Sequence, residues 1–200
     1  MTHSEQPNGA TPGADPSPAA DKQRLRRQAR QARAGLPASA RAAFAEELAA
    51  WEPPAGTRRV SCYVGVGDEP DTIPLLTALT RQGIEVLLPI TLSDFSLDWA
   101  VYTGEADLQA AGYGLREPTG PRLGLAALAD VDVVLAPALA VDADGRRLGQ
   151  GAGCYDRALQ HVPETTPVLA IVFPDERLSD PLPEEPHDRR VDGVLPAIRS

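Results

Sequence analysis

The chain has 200 residues, 42% of them hydrophobic, and a net charge of −9 at neutral pH. That length and apolar content suffice for one domain with a sizeable core, and the acidic balance argues against a general nucleic-acid binder. The two cysteines, Cys62 and Cys154, have neither metal-ligand spacing nor the density of a disulfide framework, and fit a reducing cytoplasm.

The N-terminal stretch MTHSEQPNGATPGADPSPAAD is rich in Pro, Gly, Ala and polar residues. It lacks the apolar run of a secretory signal. Residues 1–20 are expected to be a disordered tail, leaving a domain over 21–200. A helix is predicted over 21–35, with Asp21 as its cap and KQRLRRQARQARA behind it. Leu25, Ala29, Ala32 and Leu36 share one face, and Lys22, Arg26, Arg30 and Arg33 form a basic stripe beside it. Lys22 is the chain's one lysine, against 18 arginines. Gly35 and Pro37 end this helix. A second is predicted over 39–51 with Phe44, Leu48 and Trp51 inward, stopped by Pro53 and Pro54.

The run RRVSCYVGV at 58–66 predicts a strand, GDEPDT at 67–72 a polar turn, and Leu75, Leu76 and Leu79 a helix. Ile84–Leu88 predicts a buried strand ending at Pro89. LDWAVY at 97–102 alternates as a strand, which makes Trp99 and Tyr102 core aromatics ahead of ligand contacts. Gly and Pro content marks 112–124 as loop. Val131–Leu135 predicts a strand closed by Pro137. The longest apolar run, Val133 to Val141, is far short of the roughly 20 residues that span a bilayer. A short helix from about Tyr155, a strand over Val168–Phe173 and a last strand over Val194–Ile198 complete the chain. Alternating strands and helices imply a single-domain α/β fold, a three-layer α/β/α sandwich with a mostly parallel sheet. In such sheets ligands sit beyond the carboxyl ends of the strands, where both the 67–72 turn and the stretch after Pro137 fall.

That stretch reads GRRLGQGAGCYDRAL over 145–159. Alternating Gly149, Gly151 and Gly153 would let backbone N–H groups converge on an anion, and a following helix would aim its positive end there. Arg146, Arg147 and Arg157 could add charge-assisted contacts to phosphate. Asp156 makes sense beside them if a Mg²⁺ ion bridges carboxylate and phosphate. The pattern is neither a P-loop nor a dinucleotide fingerprint, so a plain strand-to-helix turn with a solvated Arg–Asp pair stands open beside the phosphate cradle.

The run RLGQGAGCYDRAL, preceded by DVVLAPALAVDADG, resembles the signature of the 5-formyltetrahydrofolate cyclo-ligases, the methenyltetrahydrofolate synthetases. In the same order, KQRLR at 22–26, GDEPDT at 67–72, GLREP at 114–118 and PHDRRVDGVL at 186–195 are similar to further family elements, so the resemblance covers about 22–198. It implies an ATP- and Mg²⁺-dependent enzyme that phosphorylates the formyl oxygen of 5-formyltetrahydrofolate. N10 then attacks the activated carbon, giving 5,10-methenyltetrahydrofolate, ADP and phosphate. By resemblance, ATP falls to Lys22, Arg26, Arg147, Leu148, Gly149, Gln150, Gly151, Ala152, Gly153 and Tyr155, with Lys22 and Arg147 catalytic. The folate falls to Val64, Glu69, Gln150 and Cys154, and the metal to Asp156 and Asp188. His187 is expected to be a flanking polar residue, and for Glu117 a substrate contact and a plain loop position stay equally open. Two positions depart from the family pattern. Cys154 replaces the first of two aromatics, which would weaken binding by roughly 1 kcal/mol if that ring stacks on ligand, and Ala152 stands where Lys or Gly is usual. The implied enzyme is a cytoplasmic monomer acting on a small molecule, without nucleic-acid or membrane partners. The alternatives are a related ATP-dependent enzyme for another formamide or amide, and a weakly active nucleotide- or folate-binding regulator.

Overall fold

The computed structural model describes residues 18–185 and 188–197. His187, Ile198 and the tail up to residue 17 lie outside them. In chain order the elements are α1 (Pro18–Ala34), α2 (Ala38–Ala49), β1 (Arg59–Ser61), α3 (Ile73–Arg81), β2 (Glu85–Thr91), β3 (Leu97–Val101), β4 (Leu108–Ala110), β5 (Arg116–Pro118), β6 (Val133–Pro137), β7 (Ala140–Asp142), β8 (Arg147–Leu148), α4 (Cys154–Leu159), β9 (Val168–Ile171), β10 (Arg177–Leu178) and β11 (Gly193–Leu195). Among the described residues no helix is long and apolar enough to cross a membrane.

The main sheet runs β11-β9-β6-β1-β2-β3. All neighbours are parallel except the β2–β3 hairpin at one edge. Strand alternation divides the core between its faces. Val133 and Leu135 join Val60, Val86 and Leu88 under α2 and α3, where Phe44, Leu48, Leu75, Leu76 and Leu79 are buried. Val134 and Ala136 turn the other way, onto Leu128, Ala158, Leu159 and Trp99. Helical elements cover both faces, so the architecture is the expected α/β sandwich with a mostly parallel sheet. Each fully buried leucine here contributes about 1.5–3 kcal/mol of transfer free energy.

Several local expectations change. Residues 18–20, expected in the tail, already form the first turn of α1, since Pro18 at the first position has no N–H to leave unpaired. The strand expected over 58–66 pairs only over Arg59–Ser61. After Cys62 donates its N–H to Leu87, the chain leaves the sheet. Because β1 ends there, β2 needs no donor on that side further on, and it runs through Pro89 to Thr91. The loop expected over 112–124 contains β5, paired antiparallel with β4. A second, three-stranded sheet, β10-β7-β8, carries α1 through Leu25 and Ala29 packed on Leu139, Ala140, Leu148 and Leu182.

The basic stripe of α1 does not stay in solvent. Lys22 and Arg33 are buried, at 5% and 3% exposure. Arg33 forms a two-point pair with Glu176 and also donates to the Ala138 carbonyl, the geometry in which a buried guanidinium is best satisfied. On the opposite side of the small sheet, Asp142 fixes the turn that launches β8. Its oxygens accept the N–H groups of Asp144 at 2.9 Å, Arg146 at 2.8 Å and Leu182 at 2.8 Å, and the Arg146 guanidinium at 3.1 Å.

Burial would raise the Asp142 carboxyl, but the N–H groups of Leu182 and Arg146 and the Arg146 guanidinium outweigh it and hold it below its ordinary value. The folded state therefore binds fewer protons at this site than the unfolded chain. The stability it confers is present above the ordinary carboxylate range and is lost as pH falls through the depressed value. Asp142→Asn is expected to cost roughly 1–3 kcal/mol in denaturant unfolding near neutral pH, with the gap to the parent closing below about pH 4. The unpaired cysteines give a second check. Cys62 is fully buried, which pushes its thiol up to about 12. Iodoacetamide should label Cys154 in the native protein and reach Cys62 only on unfolding, as read by mass spectrometry.

Candidate active site

The strand order reverses between β1 and β6, which lie side by side while the chain proceeds outward from each in opposite directions. A crevice opens there beyond the carboxyl ends of the strands, as expected for an open α/β sheet. Two adjoining cavities fill it. The larger, about 190 Å³, is walled by Tyr63 and Val64 after β1, Pro89, Leu97 and Leu115, and the 149–156 segment after β8. The smaller, about 90 Å³, lies between that segment, α1 and the side chains of Glu185 and Asp188. Arg147, Gly149, Gly151, Gly153 and Asp156 belong to both.

The glycines owe their places to arginines. A Cβ on Gly149 would lie 3.1 Å from Arg147 Nη1, one on Gly151 3.2 Å from Arg26 Cζ, and one on Gly153 3.0 Å from Arg157 Nη1. Gly151 and Gly153 also hold φ of +109° and +68°, which side chains other than glycine's resist. Three guanidiniums grip the loop's carbonyls. Arg26 donates to Gly149 O at 2.9 Å, Arg30 to Gln150 O at 3.0 Å and Arg157 to Ala152 O at 3.3 Å. With the carbonyls so held, the N–H groups of Gln150, Gly151, Ala152 and Gly153 have no acceptor among the described residues. Consecutive free N–H groups of this kind suit an anion.

Arg147 stands beneath the loop. It donates to the Pro137 carbonyl at 3.1 Å and to the Asp156 carboxylate, while its buried Nε has no partner among the described residues. Lys22 Nζ donates to Glu185 and Asp188, each at 2.7 Å. Burial pulls the Lys22 ammonium down, but the bonds to Asp188 and Glu185 prevail and its pKa is raised above the ordinary lysine value. It is therefore a charged group at neutral pH.

The larger cavity is set by the 63–72 turn. Thr72, fully buried, donates its hydroxyl to the Tyr63 carbonyl at 2.6 Å and accepts the Gly65 N–H at 3.1 Å. A Cβ on Gly65 would fall 1.9 Å from the Pro70 carbonyl oxygen, so this close approach needs glycine. The turn delivers Glu69, whose Oε2 accepts the Val66 N–H at 3.2 Å and whose Oε1 accepts the Gln150 side-chain amide at 3.0 Å. Arg30 in turn holds the Gln150 Oε1 at 2.9 Å. A chain Arg30–Gln150–Glu69 thus spans α1, the glycine loop and the turn. Burial pushes the Tyr155 phenol well above its ordinary value, and the Tyr63 phenol likewise, with the Glu69 charge adding to the latter. Burial also raises the Cys154 thiol, with Arg157 pulling the other way.

The site residues that the resemblance assigned all line these cavities, whereas Arg146 and Arg157, expected at phosphate, line neither: Arg146 pairs with Asp142, Asp144 and Glu184, and Arg157 holds the Ala152 and Phe95 carbonyls. Val64, Glu69, Gln150, Ala152, Cys154 and Tyr155 line the larger one. Lys22, Arg26, Leu148 and Asp188 line the smaller, together with the shared residues. Trp99 and Tyr102 are core side chains, 1% and 3% exposed. Sequence reasoning missed Glu185, which shares Lys22, and the clamping roles of Arg30 and Arg157. An acidic residue three positions before Asp188 was the available signal for the first. The others follow only from packing.

The model of the 5-formyltetrahydrofolate cyclo-ligase family matches residues 18–197. A protein of Mycolicibacterium smegmatis named 5-formyltetrahydrofolate cyclo-ligase is 43% identical over 181 residues, covering 87% of this chain and 92% of its own. One of that name from mouse is 27% identical, covering 70% and 73%. The solved structure of Aquifex aeolicus 5,10-methenyltetrahydrofolate synthetase superposes with a TM-score of 0.73 at 25% identity, over 86% of this chain and 88% of that one. The Mycoplasma pneumoniae 5,10-methenyltetrahydrofolate synthetase, at 19% identity and a TM-score of 0.69, shares the fold. On a match that spans the sheet, the turn and the glycine loop alike, this chain belongs to the 5-formyltetrahydrofolate cyclo-ligase family.

Proposed function

We propose that the chain converts 5-formyltetrahydrofolate to 5,10-methenyltetrahydrofolate with ATP and Mg²⁺, releasing ADP and phosphate. The observation that carries this reading is the shared wall. One loop whose N–H groups have no acceptor among the described residues separates a small cavity, where Lys22, Arg26 and Arg147 stand with Asp156, Glu185 and Asp188, from a largely apolar cavity that holds Glu69 and Glu117. A γ-phosphate on that wall would face a substrate on the other side, which is the proximity that phosphoryl transfer requires.

In this reading the larger cavity takes the pterin, with Val64 and Cys154 against the ring and Glu69 accepting its N–H edge after Gln150 has released the carboxylate. ATP phosphates occupy the smaller cavity. Lys22, Arg26 and Arg147, whose buried Nε lacks a partner, neutralise charge that builds on the transferring phosphoryl group. Leu148 to Gly153 wrap the phosphates, and Tyr155 packs below. The formyl oxygen gains the γ-phosphoryl group. The N10 lone pair then bonds to the formyl carbon, N10 gives up its proton, and the C–O bond breaks with its electrons leaving on phosphate.

Asp156 and Asp188 fit a Mg²⁺ ion in character, being hard oxygen donors beside a phosphate site. Among the described residues no group of three or more His, Cys, Asp or Glu could hold a metal alone, so such an ion would complete its shell with phosphate oxygens and water. When bound, it would supply charge neutralisation between phosphates. Lys22 would then leave Asp188 for phosphate. The reading is of a monomeric enzyme in a reducing cytoplasm, which the free cysteines support, with no nucleic-acid or membrane partner.

A spectroscopic assay for methenyltetrahydrofolate, with parent protein, 5-formyltetrahydrofolate, Mg²⁺ and ATP, tests this. Product is expected only with ATP present. Asp156→Asn and Lys22→Ala, checked for folding by thermal scan, are expected to lower kcat on the order of 10²–10³-fold. A folded parent that binds ATP without making product would turn the reading toward another formamide or amide.

A further inference from the structure

Past Leu87, β2 has no β1 residue beside it, because β1 ends at Ser61. The open side is closed by Glu117 of β5. Its Oε1 accepts the Thr91 N–H at 2.8 Å, in the position a neighbouring strand's carbonyl would hold. Glu117 is only 9% exposed and lines the larger cavity. Its second oxygen, Oε2, has no partner among the described residues. It is absent from the chain's sealed, unpartnered atoms, so it stays open to the cavity. The cavity it lines is largely apolar, with Pro89, Leu97 and Leu115 in its wall beside Thr91 and Arg116. A carboxylate oxygen fixed in apolar surroundings, with one oxygen tethered and the other free, favours an N–H donor on whatever fills the space.

We infer that Glu117 is a substrate-positioning residue, accepting through Oε2 a hydrogen bond from a ring N–H of the bound reduced pterin. This rests on the folate reading above and adds a second carboxylate to Glu69. The two differ in readiness. Glu69 already accepts on both oxygens, from the Val66 N–H and the Gln150 amide, whereas Glu117 Oε2 accepts nothing among the described residues.

Glu117→Gln separates this role from a structural one. The glutamine carbonyl keeps the Thr91 bond and so turns its NH2 group to the cavity, replacing an acceptor with a donor. The expected result is an unchanged Tm, an unchanged KM for ATP, and a KM for 5-formyltetrahydrofolate raised roughly 10- to 100-fold. Isothermal titration with 5-formyltetrahydrofolate alone should show the same loss. Identical folate KM and affinity in parent and variant would overturn the inference and leave the folate reading standing, as would a fall in kcat at constant KM. A parent that neither binds nor converts 5-formyltetrahydrofolate would overturn both. If the glutamine variant does not fold, Glu117→Asp, which withdraws the carboxylate by one methylene, carries the same expectation for folate KM and affinity, with a lower Tm because the Thr91 N–H loses its acceptor.

Discussion

The site depends on one buried cation. The Arg147 side chain is 3% exposed and joins three elements, through the Pro137 carbonyl at the end of β6, its own strand β8 and Asp156 at the start of α4. A buried guanidinium must have its charge and donors answered locally. Asp156 and the Pro137 carbonyl answer most of it, and Gly149 leaves the room for it. The orphaned Nε is what remains. Both cavities are therefore organised around a group that is already charged, already placed and one bond short.

The same logic extends outward along α1. A helix with this many arginines would be soluble alone, but here Arg26 and Arg30 turn to the glycine loop and Arg33 to Glu176. Charge replaces a hydrophobic seam in attaching α1 at this end, while Leu25 and Ala29 supply the apolar contact on the small sheet. The loop gains its shape from these contacts. A segment this rich in glycine has high conformational entropy, and the guanidiniums oppose it by fixing carbonyls one after another.

Much of this was legible in the sequence, for identifiable reasons. The helices α2 and α3 and the strands β2, β3, β6 and β9 show their periodicity over enough residues to be read. On its residues alone, the glycine loop with its charges left a phosphate cradle and a plain strand-to-helix turn equally open. The small sheet was not legible, because strands of two or three residues such as β8 and β10 carry no period. Pro89 misled because whether a proline ends a strand depends on whether a neighbour needs its N–H, and that neighbour is distant in sequence. The burial of Lys22 and Arg33 was not legible for a similar reason, since Glu176, Glu185 and Asp188 lie far along the chain.

That distance has a consequence for synthesis. Lys22 and its carboxylate partners stand 163 and 166 residues apart, so the smaller cavity is closed by α1 and by a segment that follows β10. A nascent chain that has emerged only as far as β9 holds most of the parallel sheet and both faces of its core, but lacks one side of this cavity. Such a chain would leave the Lys22 ammonium, buried in the folded protein, without its carboxylates until the last segment arrives.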